Sequence, residues 1–119
     1  CIAEENKSDA TTSTIGNGYG LSKACANALT LVLAREHPGL TINACTPGFI
    51  ETDLTRPFAI SQGKKPEEMG MKTPEQGSSS IAFLMIDEIP GSGMYFGSDC
   101  LKSPLVRYRS PGDPPYEGT

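Results

Sequence analysis

The sequence predicts one α/β domain, with elements in the order helix, strand, helix, strand, and three observations carry that reading. Apolar residues recur at three- and four-residue steps up to His37-Pro38-Gly39. A short, half β-branched run follows at 40–46, bounded on both sides by proline and glycine. Thr73-Pro74-Glu75-Gln76 then opens a second apolar stretch that ends before Pro90-Gly91. Strands separated by helices in this way run parallel, with both faces of the sheet covered. At 119 residues and 37% hydrophobic content, the chain is long enough for one compact domain and too short for two of ordinary size.

Residues 1–18 are rich in Ser, Thr, Asn and Gly without a sustained period, so they read as loop or as the tail of an upstream helix. The first helix is expected to start at Tyr19, with Leu21, Ala24, Cys25, Ala28, Leu31 and Val32 forming its apolar stripe. Residues 40–46 read as a strand. The stretch 47–72 carries Pro, Gly and charge with no repeat; a loop of that length, with at most a helical turn, suits a substrate lid. Thr73 can cap a helix with Pro74 at its first position and Gln76 closing a capping box, and that helix should reach about Asp87. Met94-Tyr95-Phe96 is a short strand ended by Gly97, and the proline-bearing residues 103–119 are an extended tail. Two strands do not make a stable sheet, so this chain is expected to be incomplete on its own and to need an upstream half or a partner protein to complete the sheet.

Composition removes several function classes. Ten basic and fourteen acidic side chains give a net charge of −4, which provides no phosphate-attracting field, so nucleic acid is not an expected partner. The longest apolar run, residues 81–86, is far short of the roughly 18 residues of a membrane span. Cys1, Cys25, Cys45 and Cys100 are widely spaced with no C-x-x-C, so they read as reduced thiols of an intracellular protein. His37 is the only histidine and sits where a helix ends, which makes it a C-terminal cation rather than a metal ligand or triad base; no metal site is expected. The chain opens on Cys1 and an acidic segment, which reads as a fragment or processed chain whose targeting segment, if any, lies upstream.

Tyr19 and Lys23 stand at i and i+4, one turn apart on one helix face. A cation one turn away favours the phenolate over the phenol, the bias that a tyrosine acid or base needs. The spacing alone is weak, since four tyrosines in 119 residues produce such a pair by chance about 0.2 times. A second signal follows the strand: Asn43-Ala44-Cys45-Thr46-Pro47-Gly48-Phe49-Ile50-Glu51-Thr52 puts Pro-Gly at the carboxyl end, where open parallel sheets bind ligands.

Tyr-x-x-x-Lys, a helix of about five turns, a strand, then Asn-Ala-x-x-Pro-Gly-x-x-x-Thr in that order resembles the carboxyl half of the classical, carbonyl-reductase-like short-chain dehydrogenase/reductases. The resemblance implies the C-terminal part of a Rossmann-like, doubly wound parallel sheet. It also implies a nicotinamide dinucleotide, NADP in preference to NAD, and a small carbonyl or alcohol substrate. Tyr19 would be the general acid, and Lys23 would assist it and hydrogen-bond the nicotinamide ribose. Pro47, Gly48 and Ile50 would line the nicotinamide, and Thr52 would bond its carboxamide or a cofactor phosphate. The implied division is 1–18 loop or insertion, 19–52 catalytic helix, strand and Pro-Gly loop, 53–72 substrate loop, 73–102 helix and last strand, and 103–119 tail. Cys100 stands where the family carries glycine. The family's glycine-rich phosphate turn and catalytic serine belong upstream, and Ser8 reads as a solvated loop serine. The competing reading is a non-catalytic, reductase-like subunit that docks in a larger assembly through its surface and tail. Arg107 and Arg109 either touch an acidic partner or hold the tail.

Overall fold

The computed structural model describes residues 10–105 and 109–118, with side chains from residue 18 onward. Residues 1–9 of the loop expected over 1–18, Ser8 among them, and Arg107 therefore lie outside the described residues. Helix α1 runs Ala10–Glu36, strand β1 Ala44–Cys45, helix α2 Arg56–Ser61, helix α3 Pro74–Gly77, helix α4 Ser79–Ile86, and strands β2 and β3 cover Tyr95–Phe96 and Lys102–Ser103. A 3-10 turn, Glu67–Met69, lies between α2 and α3.

The architecture is α/β with a small mixed sheet. β1 pairs with β2 in parallel, Ala44 opposite Tyr95 and Cys45 opposite Phe96, while β3 pairs antiparallel with β2. The parallel pairing of the two expected strands is present. The third strand corrects the expectation of two strands and a free tail: β3 arises at residue 102 because the turn at 97–101 folds the chain back, with Gly97 N–H donating to Leu101 O. Asn43 sets the parallel register. Its side-chain oxygen accepts from Met94 N–H at 2.8 Å and its amide donates to Gly91 O at 3.1 Å. That grips the loop entering β2 from both ends.

α1 begins nine residues earlier than expected. The Ser/Thr/Gly run at 10–18 has poor helix propensity but no proline, so nothing in it stops a helix already nucleated downstream. The expected stripe on α1 is met only in part, through Leu31. Leu21 and Val32 are exposed, while Leu31 and Ala34 approach Gly93 so closely that a Cβ there would lie 3.1 Å from Leu31 Cδ1 and 3.4 Å from Ala34 Cβ. The helix meets the Gly93 backbone through Leu31 of the stripe and the small Ala34 outside it, which lets the two approach closely.

The capping box at α3 is present in full: Thr73 Oγ1 accepts from Gln76 N–H and the Gln76 side chain accepts from Thr73 N–H. The expected single helix to Asp87 is divided at Ser78. The Ser78 and Ser79 hydroxyls turn back to Glu75 O and Gln76 O at 2.7 and 2.8 Å, competing with the helical ladder. α4 then packs on the sheet. Phe83 meets Phe96 edge to face at 5.4 Å between centroids, and the fully buried Ser80 donates to Thr46 O at 3.0 Å.

The buried apolar set among the described residues is Ile50, Ala59, Met71 and Phe96. Leu54, Met85 and Ile86 are each at least 80% exposed. No helix among the described residues is long and apolar enough to cross a membrane.

Candidate active site

Two groups of expected site residues are each assembled, at separate places. The first is on α1. Lys23 Nζ stands 5.5 Å from the centroid of the Tyr19 ring, the contact that i, i+4 spacing on a helix allows. Tyr19 is 63% exposed and its backbone carbonyl accepts from the Ser22 hydroxyl at 2.7 Å. At 100° per residue, Lys23 lies within about 20° of Ala34, so the Tyr19–Lys23 pair is on the side of α1 that meets Gly93 further along.

The second group is the 47–52 loop at the carboxyl end of β1. Gly48 has φ +87°, and its N–H donates to Thr46 Oγ1 at 3.2 Å. A Cβ at this position would lie 3.0 Å from Ser98 Cβ and 3.1 Å from Ser98 Oγ. Both the left-handed backbone and the contact require glycine. Pro47 and Gly48 are exposed, whereas Ile50 is buried. A Cβ on Gly77 would fall 2.6 Å from Ile50 Cδ1, so the Ile50 side chain fills the space over α3 and only its backbone faces outward chemistry. Among the described residues no group accepts the Ile50 N–H, while Ile50 O accepts from Thr55 Oγ1 at 2.6 Å. A free loop N–H beside an exposed glycine suits a ligand carboxamide, so the loop fits a nicotinamide.

Thr52 is exposed, and it is held by a residue that sequence reasoning did not single out. Thr55 Oγ1 accepts from Thr52 N–H at 2.9 Å and lies 3.1 Å from Thr52 Oγ1. The signal for Thr55 was the Thr-x-x-Thr spacing, a local hydroxyl turn at the start of α2. Arg56 pairs with Glu51 at 3.0 Å and with Asp53, just past the loop, at 2.7 Å, so both carboxylates turn toward α2. No hydrogen bond or ion pair joins the Tyr19–Lys23 pair to the 47–52 loop among the described residues.

No family model matches the chain, and no solved structure matches it. Curated proteins do. (+)-Neomenthol dehydrogenase from Arabidopsis thaliana is 36% identical over 83 residues, which cover 67% of this chain and 24% of that protein. Short-chain dehydrogenase/reductase 1 from Saponaria officinalis is 32% identical over 84 residues, 70% of this chain and 24% of that protein. The chain belongs to the short-chain dehydrogenase/reductase family. A 3-oxoacyl-[acyl-carrier-protein] reductase of Escherichia coli strain K12 is 34% identical over 87 residues, covering 63% of this chain and 35% of that protein. The chain thus spans a quarter to about a third of the length of these relatives.

For a short-chain dehydrogenase/reductase, the cysteine at position 100 has a structural consequence. Cys100 has φ +61°, the left-handed region that a glycine enters without strain. Burial, with the charges of Asp99 and Asp87, pushes its thiol up from the ordinary range, against a smaller opposing pull from Lys72. That makes it a poor thiolate nucleophile. Among the described residues Cys25, Cys45 and Cys100 are free.

Proposed function

We propose that the protein containing this chain is an NAD(P)-dependent oxidoreductase that interconverts a small carbonyl compound and its alcohol, with NADP the preferred cofactor. The observation that carries the proposal is the Tyr19–Lys23 pair, ring and ammonium 5.5 Å apart one turn from each other on α1. Supporting the cofactor choice, a relative 36% identical over 64 residues is a carbonyl reductase [NADPH] of Rattus norvegicus.

In this reading a nicotinamide held by these residues would supply the hydride chemistry. Tyr19 Oη gives its proton to the carbonyl oxygen as charge develops there, and takes it back in the alcohol-to-carbonyl direction. Lys23, fixed one turn along over the Tyr19 ring, donates to the nicotinamide ribose. Pro47 and Gly48 offer an exposed backbone face to the nicotinamide, Ile50 offers its N–H to the carboxamide, and the Thr52 hydroxyl offers a bond to the carboxamide or a phosphate. The exposed side chains of Leu54, Met85 and Ile86 support a sheet completed by further chain or by a partner protein.

Replacing Tyr19 by phenylalanine in the full-length protein tests the proposal. The ring and its contact with Lys23 remain while the proton donor goes, so carbonyl reduction should fall by a factor of about 10² to 10⁴. A full-length protein that reduces carbonyl compounds equally well with Tyr19→Phe has its acid elsewhere. One that binds no nicotinamide dinucleotide belongs instead to the docking-subunit class.

A further inference from the structure

We infer that Lys72 is the positioning residue that holds the 47–52 loop in its ligand-accepting shape. The inference rests on the proposed function for the identity of the ligand, and on geometry for the rest. Lys72 lies 20 residues beyond Thr52 in sequence, yet two of its groups grip the loop and a third reaches the residue packed beside Gly48. Its N–H donates to Phe49 O at 2.8 Å, and its carbonyl accepts from Glu51 N–H at 2.9 Å, forming a parallel bridge opposite Ile50. The third group is its ammonium, which donates to Ser98 Oγ at 3.3 Å.

Ser98 converts that bond into a constraint on the loop. It is 8% exposed and stands two residues past the end of β2, so its position follows the strand. Its Cβ and Oγ are the atoms that close off the space beside Gly48. Lys72 therefore ties the rim of the loop to the strand end, with the Ser98 hydroxyl between the ammonium and Gly48. Among the described residues Lys72 forms no ion pair, so no carboxylate draws its half-buried ammonium away from Ser98. A hydrogen bond from an ionised donor is stronger than one between neutral groups, and this one spans 26 residues of sequence. With both flanking backbone bonds made by one residue, Ile50 N–H is left pointing away from the bridge and free for a ligand.

The test compares Lys72→Met, Lys72→Arg and Ser98→Ala in the full-length protein by two readouts. The first is the Kd for the reduced dinucleotide, followed by nicotinamide fluorescence; the second is amide hydrogen exchange at Ile50 and Glu51. Lys72→Met should weaken binding about tenfold and speed exchange at Glu51 by a similar factor. Ser98→Ala should do the same, and the double variant should be no worse than either single one, since both remove one bond. Lys72→Arg should stay within about twofold of the native protein. Unchanged exchange at Glu51 in Lys72→Met, or additive losses in the double variant, would overturn the inference. If the native protein binds no dinucleotide, the proposed function falls while the exchange readout still decides whether Lys72 holds the loop.

Discussion

Arg109 donates from the tail to the carboxylate of Asp99, and the two side chains are 6% and 19% exposed. The same guanidinium donates to Ser103 Oγ at 3.1 Å and to Asp113 O at 2.6 Å, while Asp99 also accepts from the N–H groups of Leu101 and Gly112. Of the two roles open to Arg109 in the sequence, the structure shows it holding the tail. The tail returns as far as Tyr116, whose N–H donates to Lys102 O at 3.0 Å, and Lys102 Nζ donates to Gly118 O at 2.7 Å.

This arrangement predicts acid sensitivity of the tail. Burial alone would push the Asp99 carboxyl up, but the Arg109 bond and the Leu101 and Gly112 N–H bonds outweigh it and hold the group below the ordinary carboxylate range. A depressed folded value means the stabilisation is complete above the unfolded value, near pH 4, and is lost as pH falls through the folded value below it. Exchange at the Tyr116 amide should therefore be constant from neutral pH down to about pH 4, once corrected for intrinsic rates, and rise below that. Arg109→Met should show fast Tyr116 exchange already at neutral pH, because it leaves Asp99 part-buried and unpaired.

A second prediction concerns Cys100. Its φ of +61° carries a steric cost that any residue with a Cβ shares. Cys100→Ala keeps that cost and Cys100→Gly removes it, so the glycine variant should be the more stable of the two by about 1 kcal/mol in denaturant titration. Equal midpoints would mean that the turn relaxes to accommodate a side chain.

The parts of the fold that the sequence revealed are those decided within a few residues. The Thr73–Gln76 capping box, the Pro-Gly after β1 and the Tyr19–Lys23 pair each depend on spacing of three or four positions. The parallel pairing of β1 with β2 followed from the helix between them. What escaped sequence reasoning depends on pairs that only the fold joins: Lys72 with Ser98, 26 residues apart, and Asp99 with Arg109 across the turn that creates β3. Nothing local marks Lys72 as different from the exposed Lys64 and Lys65. The stripe on α1 held only at Leu31 for a related reason: hydrophobicity reports what a helix would bury, and Gly93 is met by Leu31 together with Ala34, while Leu21 and Val32 stay exposed.

The last prediction separates the two residues of the α1 pair by what each is asked to do. Tyr19→Phe leaves the ring under the Lys23 ammonium, so affinity for the dinucleotide should hold while the rate of carbonyl reduction falls. Lys23→Met removes the charge that stands over the Tyr19 ring and also the proposed donor to the ribose, so it should lower the rate and raise the Kd for the dinucleotide together, by about tenfold or more for binding. Lys23→Arg restores charge but places it on a longer planar group, and should recover binding better than rate. The measurement is a full set of kcat, KM and dinucleotide Kd values for the three variants of the full-length protein. If Lys23→Met slows the reaction with the dinucleotide Kd unchanged, Lys23 acts on Tyr19 alone and the ribose contact is absent. If it weakens binding with the rate at saturation unchanged, the 5.5 Å ring contact does not assist the acid.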